Sequence, residues 1–191
     1  MCVHTLTSKE NRERPESGIF LKFRKNTIFN KHPVYADKIE YLFQGNPGGL
    51  NPKYPTLPEH LAREGYETYL VGKWHLGASK EEHHPNNRGF NHFYGLLGGG
   101  FNHYTKQCGS GRYDFWRDRV PEFDNTTHST HMLNAEALRV VKRHVEGEKK
   151  KEPFFLFLSH PAPHDPLQAP EKYQEMCSHI SSYRRRIIEK N

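Results

Sequence analysis

Apolar positions in this chain gather into a few short runs, and the spacing inside each run predicts a different element. Thr56-Leu57-Pro58-Glu59 reads as a capping box with proline in the first turn, so a short helix should begin at Thr56. Leu57, Leu61 and Ala62 are expected to form its buried stripe, and Gly65 can take the left-handed conformation that ends it. Tyr66-Glu67-Thr68-Tyr69-Leu70-Val71 is aromatic and β-branched and is stopped by Gly72, which predicts a strand entered directly from that helix. Further on, Leu133, Ala137, Val141 and Val145 recur every four residues with Leu138 flanking them, a helical stripe closed by Glu146-Gly147-Glu148 and three lysines. Pro153-Phe154-Phe155-Leu156-Phe157-Leu158 is continuously apolar over the length of a strand, as expected for one buried on both faces. A last helix is expected from about Pro170 to Ile188.

Between these runs the pattern fades. Residues 1–43 hold no sustained period of 2 or 3.6 and are left unassigned, as a disordered or mispredicted stretch. The texture changes at Gln44, where Gly45-Asn46-Pro47-Gly48-Gly49 supplies turn chemistry. From Gly77 to about His128 the chain is rich in Gly, Asn and His and includes Gly98-Gly99-Gly100, too long for an idle connection and so expected to be a functional loop region. Apolar strands alternating with helices imply an α/β layered domain with a mainly parallel sheet. Only two strands are evident, whereas a sheet of usual size has roughly four to six, so the fold is expected to be only partly represented.

Composition narrows the classes. Of 191 residues 34% are hydrophobic and 26% charged, a lean supply of apolar surface for a self-sufficient core. Lys and Arg exceed Asp and Glu by 28 to 22, which favours anionic ligands. The basic runs Lys149 to Lys151 and Arg184 to Arg186 are short, as on solvated faces, and no nucleic-acid recognition motif accompanies them, so nucleic acid is not an expected partner. Cys2, Cys108 and Cys177 show no CxxC spacing, which argues against a zinc finger. No apolar run approaches the roughly 20 residues of a membrane span, and the first ten residues lack the apolar stretch of a signal peptide, so localisation stays unknown. Asn125-Thr126-Thr127 is a glycosylation sequon in a polar stretch, making Asn125 a candidate modification site.

Ligands of open α/β sheets collect beyond the carboxyl ends of the strands, so the residues following Val71 and Leu158 are expected to meet. After the first strand, Gly72-Lys73-Trp74-His75 places Lys73 and His75 two apart, which in extended backbone sends both to one side. After the second, Ser159-His160-Pro161-Ala162-Pro163-His164-Asp165-Pro166 is a proline-stiffened loop presenting His164. A lysine and two histidines could neutralise a tetrahedral oxyanion and protonate a leaving oxygen. Trp74 is expected in the core or as a platform, His160 as a backbone-bonding residue and Asp165 as a turn residue.

The same residues carry a resemblance. Gly65-Tyr66-Glu67-Thr68-Tyr69-Leu70-Val71-Gly72-Lys73-Trp74-His75-Leu76-Gly77 resembles the second signature of the sulfatase family nearly position for position. Thr56 to Leu61 before it, Arg88-Gly89-Phe90-Asn91-His92-Phe93-Tyr94-Gly95 after it, and Pro153 to Leu156 through His164 to Pro170 are similar to the family in the same order. The resemblance spans about residues 44–191, read as a partial sulfatase catalytic domain, and is closest to arylsulfatases. It implies an alkaline-phosphatase-like α/β fold and hydrolysis of sulfate esters, including those of sulfated glycans, by a formylglycine made from cysteine and held beside calcium. It further implies that Lys73 binds the sulfate oxygens, that His75 contacts the nucleophile's hydroxyl, and that His164 binds sulfate and protonates the leaving alcohol.

Two departures qualify it. The family's Cys-x-Pro-x-Arg motif lies upstream of the second signature, where this chain offers only Cys2, with His4 and Leu6 in the places of proline and arginine. The family's Asp pair near the N-terminus has no counterpart, and the chain stops at Asn191 before its Asp-Asn pair, so no metal ligand is assigned. The expectation is therefore a sulfuric ester hydrolase segment that is inactive by itself, with a catalytically dead domain binding sulfated polysaccharide as the alternative.

Overall fold

The computed structural model describes residues 4–7, 48–150 and 152–188. Its centre is a six-stranded sheet in the order β1-β6-β2-β3-β4-β5. The strands are β1 His4–Thr7, β2 Glu67–Lys73, β3 His92–Leu96, β4 Trp116–Arg117, β5 Val120–Pro121 and β6 Phe154–Ser159. Helices α1 Leu57–Arg63, α2 Ser129–Val145, α3 Glu171–Glu175 and α4 Tyr183–Ile188 complete it. β6, β2 and β3 run parallel, and the remaining strands pair antiparallel at the edges.

The α/β class and the mainly parallel sheet are as expected, but the sheet is larger than the sequence pattern showed. Four of its strands lie outside that pattern, and for two of them the reason is identifiable. His92–Leu96 carries a histidine and a glycine inside a stretch dominated by turn residues, yet Phe93, Tyr94 and Leu96 are buried. His4–Thr7 lies in the unassigned N-terminal stretch, and its pairing with β6 sets His4 opposite Leu158. The rest of that stretch before Gly48 lies outside the described residues.

β2 is paired on both edges and buried on both faces, and it splits the core in two. Tyr69 and Val71 join Tyr94, Leu96, Phe154 and Leu156 on one face, against Leu133, Ala137 and Val140 of α2. Leu70, Phe93 and Phe155 face the other way, with Trp74, Phe90 and the half-buried Leu61. The result is helix, sheet, helix in three layers. The stripe of α2 follows Leu133, Ala137, Val140 and His144, leaving Val145 exposed, because a true helical period alternates three and four residues instead of holding to four. His144 earns its buried place through Nε2, 3.1 Å from the Tyr69 hydroxyl.

α1 begins as expected: Thr56 caps it, accepting from the Glu59 amide while the Glu59 carboxylate accepts from the Thr56 amide at 3.0 Å. Its buried residue is Pro58; of the anticipated stripe Leu61 and Ala62 are half-buried, with Leu61 against the core, and Leu57 is largely exposed. Gly65 does adopt a left-handed φ of 80°. The expected last helix is instead two short ones, α3 and α4, separated by a turn through Cys177 and Ile180.

Two buried polar groups hold the layers in place. Arg88 donates to the Glu59 carboxylate at 2.9 Å and to the carbonyls of Leu50 and Tyr54 at 2.9 and 2.8 Å, tying α1 and its approach to the loop before β3. Thr68 and Asn91 exchange hydrogen bonds of 2.8 to 2.9 Å between β2 and the start of β3. The Arg88-Gly89-Phe90-Asn91 string is thus an architectural element.

Gly72 is where the strands come closest: a Cβ there would fall 1.9 Å from the Ser159 carbonyl oxygen, at a φ of 122°. Gly72→Ala should cost at least about 3 kcal/mol of unfolding free energy, whereas Gly65→Ala, equally left-handed but with open space around it, should cost about 1 kcal/mol. Urea denaturation of both variants checks this, and equal losses would show that backbone crowding at Gly72 is unimportant.

At the other end of β2, Glu67 meets Lys149 at 2.9 Å and His92 at 2.8 Å. Burial alone would raise its pKa, but the hydrogen bonds from Lys149 and His92 prevail and hold it at about 2. A carboxylate depressed in the folded state stabilises the fold above its ordinary pKa and loses that contribution as pH falls toward the folded value. Stability should therefore decline between about pH 4.5 and pH 2, and Glu67→Gln should flatten that part of the pH–stability profile measured by chemical denaturation.

Candidate functional site

All three parallel strands end at the same edge. Gly72 is in register with both Ser159 of β6 and Gly95 of β3, so the segments leaving β2, β3 and β6 emerge side by side. The backbone pairing continues briefly past the strands, with the Trp74 and His75 amides donating to the Leu96 and Leu97 carbonyls, each at 3.0 Å. The expected meeting of the residues after β2 with those after β6 is therefore present. A third segment, Gly98-Gly99-Gly100, joins them.

Lys73 is the last residue of β2 and only 8% exposed. Burial pushes its ammonium pKa below the ordinary lysine value, and no acidic group among the described residues offsets that effect. Trp74 turns away into the core, its indole N–H shared between the Gly77 and His83 carbonyls.

His75 corrects the extended-backbone argument. Its φ is 59°, so the strand geometry has already ended and the simple alternation of sides does not apply. A left-handed backbone costs a non-glycine residue about 1 to 2 kcal/mol. The turn carries the imidazole over the glycine segment, where a Cβ on Gly99 would stand 2.7 Å from its Cε1 and Nε2.

His164 arrives from the β6 side in an exposed loop. Its Nδ1 lies 2.7 Å from the Asp165 carbonyl oxygen, which requires a proton on Nδ1 and leaves Nε2 to face outward. A Cβ on the adjacent Gly100 would stand 3.0 Å from the same Nδ1. Neighbouring glycines thus accept one imidazole each, bringing His75 and His164 onto the same short segment. Asp165 acts through its backbone here, while its carboxylate lies 3.8 Å from Arg184.

Sequence reasoning missed the residue that fixes this segment. Asp114, fully buried, accepts from the Leu97 amide at 3.1 Å and the Gly98 amide at 2.9 Å, and from the Trp116 indole at 2.9 Å. No periodicity announces it, since it is a lone acid amid turn residues. Asn125 is exposed in a bend beside Asp124, whose carboxylate accepts the Thr126 and Thr127 amides at 2.8 Å each. Cys108 and Cys177 are buried free thiols, and Cys2 lies outside the described residues. Among the described residues no three His, Cys, Asp or Glu come together as a metal-binding group, so these residues offer calcium no fitting donor set. No helix among them is long and apolar enough to cross a membrane.

Comparison with known proteins gives this edge its context. The family model described as Sulfatase matches residues 26–186. Arylsulfatase J of Mus musculus is 36% identical over 173 residues, covering 85% of this chain and 28% of the relative. Arylsulfatase of Klebsiella aerogenes is 31% identical over 146 residues, covering 72% of this chain and 31% of the relative. The crystal structure of Ps i-CgsB superposes with a TM-score of 0.67 at 31% identity, covering 76% of this chain and 35% of that one. The fold is that of the alkaline-phosphatase-like α/β enzymes. The chain belongs to the sulfatase family, and it spans under a third of the length of these curated relatives.

Burial of Lys73 without an acidic partner carries a stability cost that a ligand-free fold has no reason to keep. Lys73→Met should raise the unfolding free energy at pH 7 by roughly 1 kcal/mol or more. The gain should shrink as pH rises toward the ordinary lysine value of 10.5, because the buried native ammonium discharges below that value while the unfolded one is still charged. A loss of stability in urea denaturation would show that the charge is compensated within the protein.

Proposed function

We propose that this chain carries the sulfate-gripping and proton-donating side of a sulfuric ester hydrolase. The observation that carries the reading is the convergence of His75 and His164 on Gly99 and Gly100, at the strand edge where Lys73 ends β2. Family membership supports the reaction class. Lys73 would hold the sulfate oxygens, its charge strengthened by the low-dielectric surroundings that desolvate it. His75 would contact the nucleophile's hydroxyl, and His164 would bind sulfate and, in its cationic form, donate the Nε2 proton to the leaving alcohol.

The family's formylglycine and calcium supply the bond-breaking chemistry; the residues of this chain bind, orient and protonate. In line with that division, the 191-residue chain by itself is proposed to be inactive. Substrates are sulfate esters, with sulfated glycans as one class: Ps i-CgsB has been crystallised in a complex with k-i-k-neocarrahexaose. Asn125, exposed and in a sequon, is the proposed glycosylation site should the protein traverse a secretory route.

In an active parent enzyme, His164→Ala should lower turnover of alkyl sulfates about a hundredfold to ten-thousandfold, but that of nitrophenyl sulfate far less, because a nitrophenolate scarcely needs protonation. Lys73→Ala should damage both substrates alike, since its charge meets the sulfate common to both. Steady-state kinetics on the two ester types decide the matter. Equal losses in the His164 variant would remove the acid assignment and leave a sulfate-binding residue only.

A further inference from the structure

The two backbone bonds that carry the sheet pairing past β2 lead to one side chain. The Trp74 amide donates to the Leu96 carbonyl and the His75 amide to the Leu97 carbonyl, each at 3.0 Å. Each of those carbonyls shares a planar peptide group with the N–H of the next residue. Both of these N–H groups donate to Asp114, Leu97 to Oδ1 at 3.1 Å and Gly98 to Oδ2 at 2.9 Å. One carboxylate therefore grips two consecutive peptide groups at one end, while Trp74 and His75 hold them at the other.

Asp114 is itself held. Its amide donates to the Lys106 carbonyl at 2.9 Å, and the Trp116 indole donates to its Oδ1 at 2.9 Å. The adjacent Phe115 is fully buried, edge-on to Tyr94 with centroids 5.0 Å apart and stacked with Phe101 at 5.9 Å. The carboxylate thus stands on the core, and the start of the glycine segment is fastened to it.

We infer that Asp114 is a positioning residue for His75, an inference that rests on the reading of His75 as a ligand-facing group. His75 keeps a left-handed backbone, which disfavours any residue with a side chain. The bond from its amide to the Leu97 carbonyl holds that turn, so the orientation of the peptide between Leu97 and Gly98 decides where the imidazole stands over Gly99. Without an acceptor for the Gly98 N–H that peptide can rotate, since a glycine on one side offers little resistance. Polarisation acts in the same direction: a peptide group donating to a carboxylate has a more negative carbonyl and accepts more strongly.

A carboxylate suits this place because both of its oxygens accept, Oδ1 from Leu97 and Trp116 and Oδ2 from Gly98. An asparagine would keep its single oxygen toward the two donors and turn its NH₂ toward the Gly98 N–H. Asp114→Asn therefore breaks the peptide contact that supports His75 and spares the one that supports Trp74.

The test uses the 191-residue chain, with amide hydrogen exchange read residue by residue by NMR and inorganic sulfate as the titrant. Asp114→Asn should speed exchange of the His75 amide about tenfold or more, leave Trp74 as in the wild type, and weaken sulfate binding about fivefold. Trp116→Phe removes a donor from the same carboxylate but leaves both peptide contacts. It should alter neither His75 exchange nor sulfate affinity, which separates positioning from a general loosening. Should Asp114→Asn fail to fold by circular dichroism, the wild-type chain decides: coupling is reciprocal, so saturating sulfate should slow exchange at Gly98 as well as at His75.

Unchanged His75 exchange in a folded Asp114→Asn variant, equal acceleration at Trp74, or an equal effect of Trp116→Phe overturns the inference. Where His75→Ala weakens sulfate binding, wild-type affinity in Asp114→Asn or exchange at Gly98 that sulfate does not slow overturns it too. Wild-type affinity in His75→Ala, or no sulfate binding at all, would instead overturn the functional reading, while exchange at His75 and Trp74 still decides whether Asp114 holds the turn.

Discussion

Everything at the proposed site depends on the parallel pairing of β6, β2 and β3 and on how closely their backbones approach at the carboxyl edge. Gly72 and Gly95 make that approach possible: a Cβ on Gly72 would stand 1.9 Å from the Ser159 carbonyl and one on Gly95 would stand 2.0 Å from the Gly72 carbonyl. Because these three strands end in register, the segments carrying Lys73, His164 and the two glycines that the imidazoles approach are delivered together. The aromatic and aliphatic side chains on both faces of β2 then fix its depth in the molecule. Antiparallel strands at the margins widen the sheet and leave the site edge to the parallel strands.

Against that rigid background, the site gathers features that a fold selected for stability alone would avoid. Lys73 is buried without an acidic partner among the described residues, and His75 is held in a left-handed conformation. Each raises the free energy of the folded state, and they lie along one edge. Three other buried charged groups among the described residues are paired: Arg88 with Glu59, Glu136 with Arg117 and Arg139, and Lys106 with the Tyr104 and Thr127 carbonyls. A cation buried at the strand edge without an acidic partner among the described residues is what an anion site requires before its ligand arrives.

Elements with a strong local signal were legible in the sequence. The capping box at Thr56, the turn at Gly65, the β-branched run into Gly72 and the apolar run from Phe154 each express a short-range preference, and each appears in place. Legibility failed where tertiary context overrides composition. β3 is a buried strand written in residues that read as loop, and Leu57 is an apolar residue left facing solvent. At the site, Lys73, His75 and His164 were visible from their places after two strands, helped by a resemblance to the sulfatases. Asp114 was not, because its partners Gly98 and Leu97 lie 16 and 17 residues away along the chain and no periodicity connects them.

The central claim is that an anion is held where these strands end, so the direct measurement is a crystal structure of the chain with inorganic sulfate or phenyl sulfate. The account predicts a tetrahedral group within hydrogen-bonding distance of the Lys73 ammonium and the His75 and His164 imidazoles, above Gly99 and Gly100. The chain offers a competing charged location, a cleft of about 540 Å³ at the end of α2 lined by Arg139, Lys142 and Arg143 together with Glu146 and Glu148. Sulfate bound there, with the Lys73 edge empty at saturating ligand, would contradict the account.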